Sequence, residues 1–172
     1  LVGFALLSRT WLDGLYVDPR VQRSGVGSAL LEVVKAQRPG GFGLWVFESN
    51  EPARSFYARH GLVTLERTDG AGNEERAPDL KMVWPGRDPL GYYRQLIDDV
   101  DVELGDLLAR RVALTRAVQD HKRASVPEPG RDDAREDEIA ARVAAQVPEL
   151  GADQVARIVH EIITESIEAS RR

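Results

Sequence analysis

Trp84-Pro85-Gly86-Arg87-Asp88-Pro89 ends one kind of sequence and begins another. Two prolines and a glycine within six residues stop a strand and precede a long periodic segment, because proline donates no ladder hydrogen bond and fixes its own φ. Before this stretch, residues 1–87 hold 11 of the 15 glycines, all three tryptophans, and 11 basic against 10 acidic side chains. After it, residues 88–172 hold 4 glycines, neither tryptophan nor phenylalanine, and 12 basic against 18 acidic side chains. This shift predicts an α+β domain with a mixed sheet over 1–84, a linker over 85–88, and an all-helical domain over 89–172.

The whole chain bounds what those domains do. With 172 residues, 42% of them hydrophobic, there is material for one large core or two small ones, and disordered and fibrous classes are excluded. Cysteine is absent, which removes disulfide frameworks, thiolate metal sites and cysteine nucleophiles, and fits a reducing compartment; the cytoplasm is the expectation. The net charge of -5 repels phosphate backbones and anionic lipid surfaces, so neither nucleic acid nor membrane is an expected partner. The opening run Leu1-Val2-Gly3-Phe4-Ala5-Leu6-Leu7 is too short for a span or a signal peptide, and reads as a strand cut from a longer chain.

In the first half, Val2 to Leu7 and Leu12 to Val17 are strand-like. A helix begins near Gly25, with Ala29, Leu30, Val33 and Val34 on one face, and stops at Gly40-Gly41. Gly43 to Phe47 reads as a short buried strand. A second helix over Glu51 to His60 is closed by Gly61, and a polar loop leads to a last strand at Leu80 to Trp84. The expected order is strand, strand, helix, strand, helix, strand.

The second half carries an apolar stripe through Ile97, Val100, Leu104, Leu108, Leu114 and Val118, which is one helix of over thirty residues. Pro127, Pro129 and Gly130 break it. Asp132 is positioned to cap a second helix carrying Ile139 and Val143, which ends before Val147-Pro148. Gly151-Ala152-Asp153 opens a third, with Val155, Ile158, Val159, Ile162 and Ile163 expected to be buried.

Between the second strand and the first helix lies Gln22-Arg23-Ser24-Gly25-Val26-Gly27. Small residues there let backbone N–H groups approach a pyrophosphate at the positive end of a helix. Taken alone, Gly-x-Gly marks only a tight turn. A dinucleotide-binding turn is the competing reading, with Glu48 as the ribose-binding acid, but no third glycine follows and seven residues, Asp18 to Ser24, separate the strand from the first. Leu15-Tyr16-Val17-Asp18-Pro19, then Gln22-x-x-Gly25-x-Gly27, then Asn50-x-x-Ala53-x-x-Phe56-Tyr57-x-x-x-Gly61-Leu62 together resemble the core of GNAT acetyltransferases. The resemblance covers residues 1–84 and does not include the family's opening strand and helices, which build much of the acceptor site. It implies acetyl-CoA held along Gln22, Arg23, Ser24, Gly25, Val26 and Gly27, with Asn50 contacting the cofactor. It also implies Tyr57 as general acid to the departing thiolate, and a phenol of pKa about 10 can protonate a thiolate of pKa about 8.5.

The helical half places charge on an apolar face. Arg111 and Lys122 are eleven residues apart, about three turns at roughly 3.6 per turn, so they share the face that carries the stripe. Cations facing a core call for an anionic partner. Arg94 stands seventeen residues before Arg111, about 25 Å along a helix, so one small ligand cannot be held by both from the same chain. If Arg94 belongs to the site, a second chain brings it. Asp132, Arg135 and Glu136 follow i, i+3, i+4 spacing and share a face. Late in the third helix, Ser166 and Ser170 continue the apolar stripe, so two hydroxyls stand where apolar groups stood before.

Arg94, Asp101, Arg111-Val112-Ala113-Leu114, Lys122, Arg131-Asp132-x-x-Arg135-Glu136 and Ile162-Ile163-x-Glu165-Ser166 together resemble the all-helical (AroQ-class) chorismate mutases. The resemblance implies an intertwined homodimer with chorismate as substrate, each of two sites taking Arg94 from the partner chain. It implies Arg94 and Arg111 on the two carboxylates with Arg135 assisting, Lys122 at the ether oxygen, and Glu136 and Asp132 at the ring hydroxyl. Ser166 is implied as a further substrate contact. Chorismate to prephenate is a unimolecular rearrangement that needs no nucleophile, metal or cofactor, only shape and placed charge. Ser170 stands where the family carries Gln or Glu, and its short hydroxyl implies reduced catalysis or a water-mediated contact. The segment Arg123 to Gly130 is one residue longer than usual.

Three functions stay open on these residues. The helical half is a mutase fused to a partial acetyltransferase; or it is a dimerisation module for an acetyltransferase; or it senses a shikimate-pathway acid without converting it.

Overall fold

The computed structural model describes residues 1–125 and 132–171. Contacts divide them into two compact units, the first Leu1–Ile97 and the second from Asp98 onward.

The first unit contains β1 (Gly3–Leu7), β2 (Leu12–Val17), α1 (Val26–Gln37), β3 (Phe42–Phe47), α2 (Glu51–Arg59), β4 (Val63–Thr68) and β5 (Asp79–Trp84). β1 and β2 form an antiparallel pair in which Phe4 faces Tyr16. β5 lies between β3 and β4, antiparallel to both, so that Met82 faces Leu44 on one side and Thr64 on the other. A single parallel bridge, Trp11 to Gly43, joins the two ladders, with the Gly43 N–H donating to the Thr10 carbonyl at 3.0 Å. Glycine is required there because a Cβ would stand 2.9 Å from the Trp11 ring.

The core of this unit is Leu12 of β2, Leu31 and Val34 of α1, Phe42, Leu44 and Val46 of β3, Tyr57 of α2, Leu62, and Leu80 and Met82 of β5. Full burial of one such aliphatic chain contributes about 1.5–3 kcal/mol. The buried face of α1 is therefore Leu31 and Val34, not the face containing Val33, which is 53% exposed. Leu30 lies half-buried and Ala29 is exposed, so the helix is rotated by about one residue from the expected phase. β4 is an element absent from the expected order. Its residues are exposed except Thr68, as befits an edge strand, and a strand with neither face buried carries no alternating hydrophobic signal.

α3 runs unbroken from Pro89 to Ser125, 37 residues. Its first turns belong to the first unit, where the Tyr92 ring covers Gly41 so closely that a Cβ there would stand 2.6 Å from it.

The second unit holds the rest of α3, α4 (Asp133–Ala144) and α5 (Ala152–Ala169). Asp132 caps α4 as expected, its carboxylate accepting from the Arg135 backbone N–H at 3.0 Å. Val155, Val159 and Ile163 of α5 pack against Ile139, Ala140, Val143 and Ala144 of α4. Ile158, expected in this core, is 49% exposed, because burial follows the i, i+4 row of 155, 159 and 163. The stripe of α3 also lies open within this chain: Val100 is 61% and Leu114 63% exposed. The expected core beneath the stripe is therefore not formed at these positions within one chain, although Arg111 and Lys122 are themselves half-buried. The expected break at Pro127, Pro129 and Gly130, and Arg131 of the charged motif, lie outside the described residues. Among the described residues no helix is long and apolar enough to cross a membrane.

Candidate functional site

In the first unit the turn before α1 is shaped for close approach. Gly25 sits at φ +93° as the N-cap of α1, and a Cβ there would meet nothing within 4 Å, so this side of the loop is open. The first helical bond runs from the Ala29 N–H to the Gly25 carbonyl at 2.9 Å, so the preceding amides have no intrahelical acceptor. These amides border a cavity of about 1120 Å3 lined in part by Gln22, Arg23, Gly25, Gly27, Asn50 and Tyr57. Residues from three separate stretches of the sequence are thus collected at one place. Ser24 and Val26 do not line it: the Ser24 hydroxyl donates to the Val21 carbonyl at 2.5 Å, and Val26 begins the helix.

Asn50 caps α2, its side-chain oxygen accepting from the Ala53 N–H at 3.2 Å. Tyr57 is 8% exposed and also borders a second groove, of about 810 Å3, beside β2 and β3. Burial raises its phenol above the ordinary value, with Tyr16 adding a smaller push in the same direction. A phenol held neutral is a proton donor rather than a base. Glu48, the acid of the competing dinucleotide reading, is occupied by Arg67, whose Nη2 lies 2.8 Å from its carboxylate.

The same cavity contains residues that spacing did not reveal. Arg59 and His60 line it from α2 and its C-cap, and Ser28 lines it from α1. His60 Nε2 stands 3.0 Å from the Ser28 Oγ across a gap of 32 positions in sequence, which no short motif encodes. Basic side chains, an open glycine turn and free helix-end amides fit the phosphates of a coenzyme A ester.

In the second unit, Arg111 and Ser166 converge. The Arg111 Nη1 donates to the Ile162 carbonyl at 3.3 Å, and the Ser166 hydroxyl donates to the same oxygen at 2.5 Å. Further along the same pair of helices, Arg116 Nη2 reaches the Ala169 carbonyl at 3.5 Å. Ser166 and Ser170 are both buried on the core side of α5, and the Ser170 hydroxyl donates to the Ile167 carbonyl at 2.7 Å. Lys122 lies half-buried on α3. Glu136 is largely covered and stands 3.5 Å from His160 of α5. Arg135 is exposed and its guanidinium is paired with Glu138, one turn on, which raises its pKa further. Arg94 lies on the part of α3 that belongs to the first unit.

Comparison with known proteins finds a separate similarity for each half. Residues 93–171 match the family model of chorismate mutase type II, and residues 1–63 match that of the acetyltransferase (GNAT) domain. The first half is similar to the peptidyl-lysine N-acetyltransferase YjaB of Salmonella typhimurium, 32% identical over 84 residues, covering 49% of this chain and 57% of the relative. It is also similar to the peptidyl-lysine N-acetyltransferase YiaC of Escherichia coli, 32% identical over 87 residues with the same coverage. Among solved structures, apo YjaB from Escherichia coli is 34% identical, covers 49% of this chain and 57% of its own, and superposes with a TM-score of 0.45. The chain thus spans little more than half the length of the curated relatives it matches.

Proposed function

We propose that this chain, in which a GNAT acetyltransferase segment precedes a type II chorismate mutase domain, converts chorismate to prephenate through its helical domain acting as a homodimer. The match of residues 93–171 to the mutase family carries this reading. Two features of the second unit support it: Arg111 is placed beside Ser166 at the Ile162 carbonyl, and the apolar stripe of α3 is left open for a second copy to cover.

The reaction breaks a C–O bond and forms a C–C bond within one molecule, so the side chains need only hold the substrate and stabilise developing charge. Arg111 and the Arg94 of the second copy grip the two carboxylates, for which the guanidinium fork is suited. Arg135 assists after leaving Glu138, which is one turn away on its own helix. Lys122 faces the ether oxygen, where negative charge builds as the bond breaks, so its ammonium stabilises the transition state more than the bound substrate. Asp132 and Glu136 orient the ring hydroxyl. Ser166 borders the substrate, and Ser170 makes its contact through water.

For the first half we propose acetyl-CoA as ligand, held by the turn from Gln22 to Gly27 and by Asn50. Bound there, the thioester would supply the acyl group, and Tyr57 would hold the proton that the thiolate needs on leaving. The relatives act on peptidyl-lysine by name, and an amine acceptor of that class is the corresponding proposal for this half.

A second reading has a specific observation in its favour. The open stripe of α3 equally suits a helical domain that only dimerises an acetyltransferase or senses a shikimate-pathway acid. Loss of chorismate absorbance on adding the chain separates the two: conversion supports the mutase, and binding of prephenate without conversion supports the sensor.

A further inference from the structure

We propose that His60 is a proton-linked positioning residue for a phosphate group, acting through the hydroxyl of Ser28. The inference rests on the reading of the 1120 Å3 cavity as a coenzyme A site.

The hydrogen bonds around His60 fix what each atom does. Its Nδ1 lies 2.8 Å from the Phe56 carbonyl oxygen. A carbonyl oxygen only accepts, so Nδ1 carries a proton in both charge states of the ring. In the neutral ring Nε2 is therefore an acceptor, and the hydroxyl of Ser28, 3.0 Å away, donates to it. Ser28 then turns oxygen lone pairs, not a hydrogen, toward the cavity that both residues line. An anion there meets no donor from Ser28.

Protonation of Nε2 reverses this bond. Nε2–H donates to the Ser28 Oγ, and the hydroxyl hydrogen is released to point into the cavity. Ser28 is the third residue of α1, next to amides without helical acceptors, so the released donor joins a set already suited to phosphate. The new cation adds to the same potential. Binding of a phosphate and uptake of a proton by His60 are then coupled, each favouring the other by the same factor.

The surroundings of the imidazole favour this exchange from more than one element. From α1, the Glu32 carboxyl is held below the ordinary range mainly by its hydrogen bond from Lys35, with the charge of His60 adding a smaller push in the same direction. From α2, the Phe56 ring lies against the imidazole with centroids 4.4 Å apart. Arg59 from α2 and Arg23 from the turn also line the cavity and oppose a further positive charge until an anion is present, while Glu51 lines it with the opposite sign.

The test is calorimetric titration of the purified 172-residue chain with dephospho-coenzyme A, whose pyrophosphate diester keeps its charge between about pH 6 and 8. Wild type is expected to bind about five- to tenfold more tightly at pH 6 than at pH 8, with proton uptake shown by a heat that varies with buffer ionisation enthalpy. His60→Gln, whose amide donates to Ser28 at every pH, is expected to bind with nearly constant affinity. Ser28→Ala, a helix-compatible change that leaves the fold intact by its melting curve, is expected to lose the part of the slope that passes through the hydroxyl. Equal pH slopes in wild type and both variants, with binding present, overturn the inference and leave the cofactor reading standing. Absence of binding by wild type at every pH overturns the cofactor reading and this inference with it.

Discussion

Arg111 and Ser166 donate to one acceptor, the carbonyl of Ile162, from two helices 51 and 4 positions away in sequence. A backbone carbonyl in the middle of α5 already serves its own helix, so two further donors at that oxygen fix the angle at which Arg111 leaves α3. The remaining N–H groups of the guanidinium are those that the proposed mechanism assigns to a substrate carboxylate.

Arg111→Lys keeps the charge and removes the planar fork. Mutase turnover per active site is expected to fall about ten- to a hundredfold, the cost of one charge-assisted hydrogen bond, while the melting temperature stays near wild type. A steady-state assay beside a thermal melt checks both. Unchanged turnover in the lysine variant would remove Arg111 from the site.

Leu114 is 63% exposed in the single chain. If a second copy covers the α3 stripe, Leu114→Asp buries a carboxylate in that interface and is expected to halve the mass seen by light scattering, with loss of activity. A variant that keeps the mass of wild type would place the interface elsewhere.

Ile163 is buried among Val155, Val159 and the facing residues of α4. Ile163→Ala is expected to destabilise the helical unit by about 2–4 kcal/mol, the transfer free energy of the deleted carbons plus that of the cavity they leave. Chemical denaturation followed by helical circular dichroism reads this. A change below about 1 kcal/mol would show that α4 and α5 do not pack as described.

Several of these features were legible in residue order and several were not, for reasons that differ. The long periodic stripe announced α3 and Asp132 announced the start of α4, because periodicity and capping are local. β4 left no signal, since Val63–Thr68 is an edge strand exposed along nearly its whole length. The buried face of α1 differs by one residue from the expected one because Leu30, Leu31, Val33 and Val34 are all apolar, and only the packing onto β1 and β2 decides which are covered. Glycines and Asn50 pointed to the cavity through known spacing, but Ser28 with His60 is a pairing made by the fold alone. The pairing of Arg135 with Glu138 follows i, i+3 spacing, a signal that local sequence does carry.

Ser170 offers a gain of function. It stands one turn beyond Ser166, buried at the end of α5. On the proposed mechanism Ser170→Gln supplies a direct donor to the ether oxygen and is expected to raise turnover about tenfold or more. Turnover at or below wild type, with an unchanged melting curve, would count against a role for this position.

The most direct measurement is the disappearance of chorismate absorbance on adding the purified chain, with Lys122→Ala beside it. The proposed mechanism predicts saturable conversion by wild type and a drop of about a hundredfold or more in the variant, as when one placed transition-state charge is removed. No conversion by a folded, dimeric wild type, or conversion that survives in Lys122→Ala, would contradict it.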